Sequence, residues 1–280
     1  MCPQSELMTR EKGMMDIGLY KRIIDEAKSF VWCLQLFHTG EALLHPDIHK
    51  MIKYAYDAGM YTVINTNACL LSEEKASQII DANLSQISFS FDGPTPEAYE
   101  QLRVGASFDN VMNNIKLFLK MKKQKKAKYP YTIVEVIPMQ ETKAELNSFL
   151  KQLRNLGVDD VRLWGYHHWI HAEHKNDTDV YYPCEYPYTI MAVYWDGRVV
   201  PCCMDYNAGY VVGDVRYQSL QEIWNSTQLQ KLRYALRNRD TYQQIELCKN
   251  CSFLTSPKTY ISIFGKMFKL LANIVGRCRR

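Results

Sequence analysis

No apolar run in the 280 residues is long enough to span a bilayer, and the N-terminus shows no secretory h-region. Charge of either sign is not in excess. The net charge of +4 is too small to argue for a nucleic-acid partner, and no basic face with interleaved aromatic stacking motifs is found. Internal repeats and low-complexity segments are absent, and Asp and Glu residues form no paired arrangement suited to acid–base work. Nine cysteines is an odd count for a disulfide framework. A reducing, cytoplasmic compartment is expected, in which clustered cysteines read as metal ligands.

What is present begins with four of those cysteines, Cys184, Cys202, Cys248 and Cys251. The last two form a Cys-x-x-Cys, and Cys202 follows the turn Asp196-Gly197, a strong signal for a two-stranded hairpin. The turn places Cys202 at a strand end, where its thiolate can face the other three. Four thiolates make a closed soft-ligand site for an iron–sulfur cluster or for zinc. Cys203 is a spare beside Cys202; Cys33, Cys69 and Cys278 read as buried or incidental thiols.

An apolar fraction of 47% is enough to bury a full core. From residue 15 to about 165, helical and strand patterns alternate. Strands are predicted at Trp32–Phe37, Tyr61–Thr66, Gln86–Phe91, Tyr131–Ile137 and Asp160–Trp164. Ser72, Thr95-Pro96 and Ser107 are placed to open helices, and Gly157 to close one. Such alternation predicts an α/β fold with a parallel sheet and right-handed crossovers, whose ligands gather at the C-terminal strand ends. After residue 166 the rhythm changes. A polar, histidine-bearing linker (166–183) leads to a small module (184–255) with a hairpin at Ile190–Trp195 and Arg198–Cys203 and a capping box at Ser219–Glu222. A module of that size gains from a metal cluster in place of a large core.

The strand-end loops carry further signals: Thr39-Gly40-Glu41-Ala42, Thr66-Asn67-Ala68, Ser90-Phe91-Asp92-Gly93 and Leu102-Arg103, with Met1-Cys2-Pro3 at the start. In this order, and followed by the four-cysteine module, they resemble the radical S-adenosylmethionine enzymes that bear a C-terminal SPASM or Twitch module. Gly40-Glu41 is similar to that family's Gly-Gly-Glu-Pro loop, Thr66-Asn67-Ala68 to a Thr-Asn-Gly, and Ser90–Gly93 to a Ser-Ile-Asp-Gly. Cys2 is similar to the third cysteine of its Cys-x3-Cys-x2-Cys motif.

The resemblance implies a partial (β/α)6 barrel over residues 1–165 and reductive cleavage of S-adenosylmethionine. Hydrogen abstraction from a sugar, cyclitol or peptide substrate would follow. It implies one auxiliary [4Fe–4S] cluster on Cys184, Cys202, Cys248 and Cys251, and a primary [4Fe–4S] cluster with Cys2 among its ligands. Cofactor-binding roles fall to Gly40, Glu41, Asn67, Ser90, Asp92 and Arg103. His167, after the fifth strand, is placed to take a proton from a hydroxyl during its oxidation. The partners implied are a small-molecule or peptide substrate and a reductant such as flavodoxin or ferredoxin, with no nucleic acid.

Two further expectations concern the ends. Cys2 has no partners at the family spacing, so the sequence is expected to be an N-terminally truncated or mis-started form, with the barrel's first strand and two primary-cluster ligands missing. Residues 256–280 pattern as a basic amphipathic helix, with Ile261, Phe264, Phe268, Leu271 and Val275 on one face, suited to peripheral membrane contact or to packing on the protein itself. The alternative to catalysis is a scaffold that binds an iron–sulfur cluster or zinc and keeps the fold without the chemistry.

Overall fold

A computed structural model describes residues 7–138, 144–164, 181–249, 251 and 254 of the chain. Cys2, His167 and the tail 256–280 lie outside these residues, as does most of the linker. The described residues fall into two compact units, one of residues 12–164 and one formed by 7–11 together with 181–254.

The first unit opens with α1 (Ile17–Ala27), started by the Asp16 carboxylate, which accepts from the Gly18 and Leu19 amides at 2.8 and 2.9 Å. There follow β1 (Cys33–Gln35), α2 (Ile48–Asp57), β2 (Tyr61–Thr66), α3 (Glu73–Asp81), β3 (Gln86–Ser90), α4 (Pro96–Leu102), α5 (Phe108–Gln124), β4 (Tyr131–Val136), α6 (Leu146–Asn155) and β5 (Asp160–Leu163). Ser72, Thr95 and Ser107 cap α3, α4 and α5 as their sequence positions predict, and Gly157 follows α6 at φ +86°.

The five strands are parallel and lie in sequence order, β1-β2-β3-β4-β5. Right-handed crossovers between sequential parallel neighbours place every connecting helix on one face of the sheet. On that face Phe89 of β3 meets Phe118 of α5 edge-on at 5.6 Å, both fully buried. Each such side chain contributes about 1.5–3 kcal/mol through burial. Because side chains alternate, the register pairs Asn65 with Ser88, Ser90 with Glu135, and Glu135 with Arg162 on the opposite face. The helix-covered face is mainly apolar, with Ile64, Ile87, Phe89, Val134 and Val136, while polar side chains gather on the other toward the C-terminal strand ends.

The second unit holds α7 (Tyr186–Thr189), then a three-stranded antiparallel sheet of β6 (Ala192–Val193), β7 (Arg198–Val200) and β8 (Gly213–Asp214). The helices α8 (Leu220–Trp224), α9 (Thr227–Ala235) and α10 (Arg239–Tyr242) follow. The β6–β7 turn sits where Asp196-Gly197 predicts it, with Gly197 at φ +93°, and α8 opens on the Ser219–Glu222 capping box. Residues 7–11 are held by the loop after β7. The Asn207 amide accepts from Thr9 N at 2.8 Å and donates to Leu7 O at 2.9 Å, while Arg10 Nε donates to Tyr206 O at 2.8 Å. The Arg10 guanidinium also lies 4.1 Å from the Tyr194 ring centroid, and Trp195 Nε1 donates to Glu11 O.

Candidate functional site

The loops at the C-terminal ends of β1, β2, β3 and β4 are tied together by two carboxylates. Glu41 precedes a single 3₁₀ turn, Ala42–Leu44, and caps it by accepting from Leu43 N at 3.0 Å. The same carboxylate reaches β2, accepting from Thr66 Oγ1 at 2.7 Å and from Asn67 N at 2.9 Å. Glu41 therefore fixes the β1 and β2 ends against each other, and Asn67 takes part through its backbone. The Asn67 side chain turns onward to accept from Cys69 N at 2.9 Å.

A Cβ placed on Gly40 would meet no protein atom within 4 Å. Packing does not require glycine there, and the open side leaves room for a ligand to approach the backbone. Gly93 differs: it has φ +92°, and a Cβ would fall 2.6 Å from Tyr99 N, so the close passage of α4 demands glycine.

The second carboxylate is Asp92, only 1% exposed. It accepts from Arg103 Nη2 at 2.5 Å and Nε at 3.2 Å, and its other oxygen takes Ile137 N at 2.6 Å. Asp92 and Arg103 are thus brought together as an ion pair that also ties the β3 loop to the end of β4. Tyr99 is fully buried beside them, its hydroxyl without a partner among the described residues. Burial pushes that phenol up to about 12.

On the polar face of the sheet, Ser90 donates to Asn65 Oδ1 at 2.7 Å, and Asn65 Nδ2 donates to Glu135 Oε2 at 2.8 Å. The Ser88 hydroxyl and the Trp164 indole also act on Glu135 as polar neighbours that favour its charged form. Burial raises the Glu135 carboxyl above its ordinary range, against the opposing pull of Arg162 and of these donors. Asn65 and Glu135 were not singled out from the sequence. The available signal was a lone carboxylate inside the apolar run Thr132-Ile133-Val134-Glu135-Val136. Cys69 is exposed near Glu41 and Arg103; burial and the Glu41 charge raise its thiol.

In the second unit, Cys184, Cys202, Cys248 and Cys251 come from three separated stretches of chain and interact electrostatically. After burial, ionisation of Cys202 is opposed by Cys203, Cys184 and Cys248, that of Cys184 by Cys251 and Cys203, and that of Cys248 by Cys251 and Cys184. The Cys184 thiol is pushed up to about 12 and Cys202 well above its ordinary value. Such a set gives up its protons only to a strongly cationic partner. The Cys203 thiol accepts instead from the Tyr186 hydroxyl. The loop after Cys202 is fixed by the buried Asp205, whose carboxylate accepts from Gly209 N at 2.7 Å and Tyr210 N at 2.8 Å. Among the described residues no three metal-binding side chains converge as closely as one ion requires. Four thiols that oppose one another's ionisation are the donor set that an iron–sulfur cluster or zinc would take.

Among the described residues no helix is long and apolar enough to cross a membrane. Comparison with known proteins adds four findings. Residues 1–161 match the Radical SAM superfamily, and residues 184–252 match SPASM, an iron–sulfur cluster-binding domain. The tungsten-containing aldehyde ferredoxin oxidoreductase cofactor-modifying protein of Pyrococcus furiosus is 25% identical over 279 residues, spanning 81% of this chain and 77% of that one. Two solved structures share the fold. BtrN in complex with AdoMet and 2-DOIA has a TM-score of 0.57 at 19% identity, covering 90% of this chain and 85% of that one. Native anSMEcpe with bound AdoMet and Kp18Cys peptide has a TM-score of 0.64 at 14% identity, covering 96% and 92%.

Proposed function

The chain belongs to the radical S-adenosylmethionine superfamily and carries its SPASM iron–sulfur module, and on that premise we propose that it abstracts hydrogen from a sugar, cyclitol or peptide substrate held against the polar face of the sheet. S-adenosylmethionine and [4Fe–4S] clusters are the family's cofactors; bound here, they supply the abstracting radical and, at the auxiliary site, an electron acceptor. The protein's own part is positional. Gly40 offers open backbone to the ammonium of S-adenosylmethionine, while Glu41 holds that loop against β2. Ser90 and the remaining donors of Arg103 bind its carboxylate or ribose, with Asp92 orienting the guanidinium. Glu135 stands on the same face beside Asn65, its carboxyl raised by burial.

The observation that carries this reading is the pair of carboxylate ties, Glu41 holding the β1 and β2 ends and Asp92 the β3 and β4 ends, at the same C-terminal side of the sheet. The auxiliary cluster is assigned to Cys184, Cys202, Cys248 and Cys251. A reductant of the flavodoxin or ferredoxin kind would deliver electrons. Equilibrium dialysis against S-adenosylmethionine tests the cofactor site: Ser90→Ala and Arg103→Met should each weaken binding, by about tenfold for the arginine. Iron and sulfide counts after anaerobic reconstitution test the module. Zinc without labile sulfide, or an undiminished count in Cys251→Ala, would overturn the assignment.

A further inference from the structure

One face of the second unit has a concentration of positive charge that the proposed chemistry does not use. A cavity of 440 Å³ opens along α9 and α7, lined by Tyr188, Gln230, Lys231, Arg233, Tyr234 and Arg237. It has three cations and no carboxylate among its walls. None of the three makes an ion pair with a carboxylate among the described residues, although Arg198, Arg216 and Lys249 of the same unit all do.

Arg233 is the unusual member. It is 6% exposed, and its guanidinium is fixed on every side but one. Nε donates to Pro187 O at 2.9 Å and Nη1 to Trp224 O at 2.8 Å. The guanidinium centre lies 4.4 Å from the Trp224 ring and 5.5 Å from the Tyr188 ring. Tyr188 returns a bond to Arg233 O at 2.9 Å, which fixes α7 against α9. The remaining nitrogen, Nη2, is buried with no partner among the described residues. Buried donors are almost always paired, and a buried charge without a counter-charge is costly. The neighbouring Lys231 and Arg237 are exposed and line the same cavity as the buried Arg233.

We propose that this cavity is an oxyanion-binding site, taking a phosphate or carboxylate group of a small molecule between Lys231, Arg237 and the fixed guanidinium of Arg233. Both chemistries share the planar or tetrahedral oxygen array that an arginine fork recognises. The cavity volume falls within the range of small-molecule sites. The site is separate from the thiols, although α7 links the two, since Tyr188 lines the cavity and Tyr186 bonds Cys203.

Isothermal titration of the full chain at constant ionic strength tests the proposal, with inorganic phosphate, pyrophosphate and citrate as probes. A single saturable site is expected for at least one of them. The variant Lys231→Gln/Arg237→Gln, altered at two exposed positions, should keep its circular dichroism and lose affinity by about tenfold. Tighter binding of the phosphates assigns a phosphoryl ligand, and tighter binding of citrate a carboxylate. Absence of saturable binding by every probe overturns the site, as does equal affinity in the double variant. Because the readout is anion binding, it does not depend on iron, on S-adenosylmethionine or on turnover.

Discussion

Arg103 closes on Asp92 from the end of α4, while the other oxygen of the same carboxylate takes the Ile137 amide of the β4 end. An aspartate 1% exposed is tolerable only because both of its oxygens are bonded. Arg103→Met should therefore destabilise the fold by about 3–5 kcal/mol in urea unfolding, through the charge left behind. The double variant Asp92→Asn/Arg103→Met should recover part of that loss. Additive effects would mean that the two side chains do not act as a pair.

Glu41 accepts from three donors and gives nothing in return. Glu41→Gln keeps the size of the side chain but turns one acceptor into a donor facing N–H or O–H groups. A loss of about 1–3 kcal/mol is expected by urea unfolding, together with faster hydrogen exchange at the Leu43 and Asn67 amides. Unchanged exchange there would show that the carboxylate does not hold the two loops.

The raised carboxyl of Glu135 has a consequence for pH. The folded state holds its proton more tightly than the unfolded chain, so the unfolded chain binds fewer protons where the two differ. Stability then falls as pH rises from about 4.3, the ordinary glutamate value, through the higher folded value, and it is unaffected below both. Glu135→Gln keeps an acceptor for Asn65 and removes that slope. Its unfolding midpoint should gain on the parent's over the window from the ordinary glutamate value up to the higher folded one. A constant difference across that window would count against a raised carboxyl.

The neighbouring thiols Cys202 and Cys203 should separate in reconstitution. Cys202→Ala is expected to lose the auxiliary cluster's iron and sulfide and to lower the melting temperature of the second unit, because cluster binding contributes to its folding. Cys203→Ala removes the acceptor of the Tyr186 hydroxyl and one thiol that opposes ionisation of Cys202 and Cys184, and it should retain the cluster. The reverse pattern would exchange their roles.

Much of the fold can be read from caps and periodicity because those signals are local. Ser72, Thr95, Ser107 and Ser219 each accept from an amide three residues on, and Tyr61–Thr66 pairs over its whole predicted length. The predicted Trp32–Phe37 strand shortens to Cys33–Gln35, since only three residues register with β2 before the chain turns toward Gly40. Four elements of the second unit, α7, β8, α9 and α10, were not predicted, and two of them show why. β8 is two residues long and leaves no alternation to detect. In α9 the buried side carries Arg233 beside Leu229 and Leu232, so a charge interrupts the apolar pattern. At the site, Gly40, Glu41, Ser90, Asp92 and Arg103 stand out as motif residues. That Glu41 and Asp92 spend their oxygens on the protein, and that Asn65 links Ser90 to Glu135, depends on strand register, which no single stretch of sequence encodes.

The grip of Asn207 and Tyr206 on residues 7–11 also sets an order of events during synthesis. The Arg10 bond to Tyr206 spans 196 residues. At about 5–20 residues per second, a ribosome takes roughly 10–40 s to make that stretch. For all of that time residues 7–11 lack the surface they settle on, while the parallel strands behind them are already emerging. Shielding of this segment by a chaperone, or a translational pause before residue 206, would act on a part of the chain that is made well before its native partner.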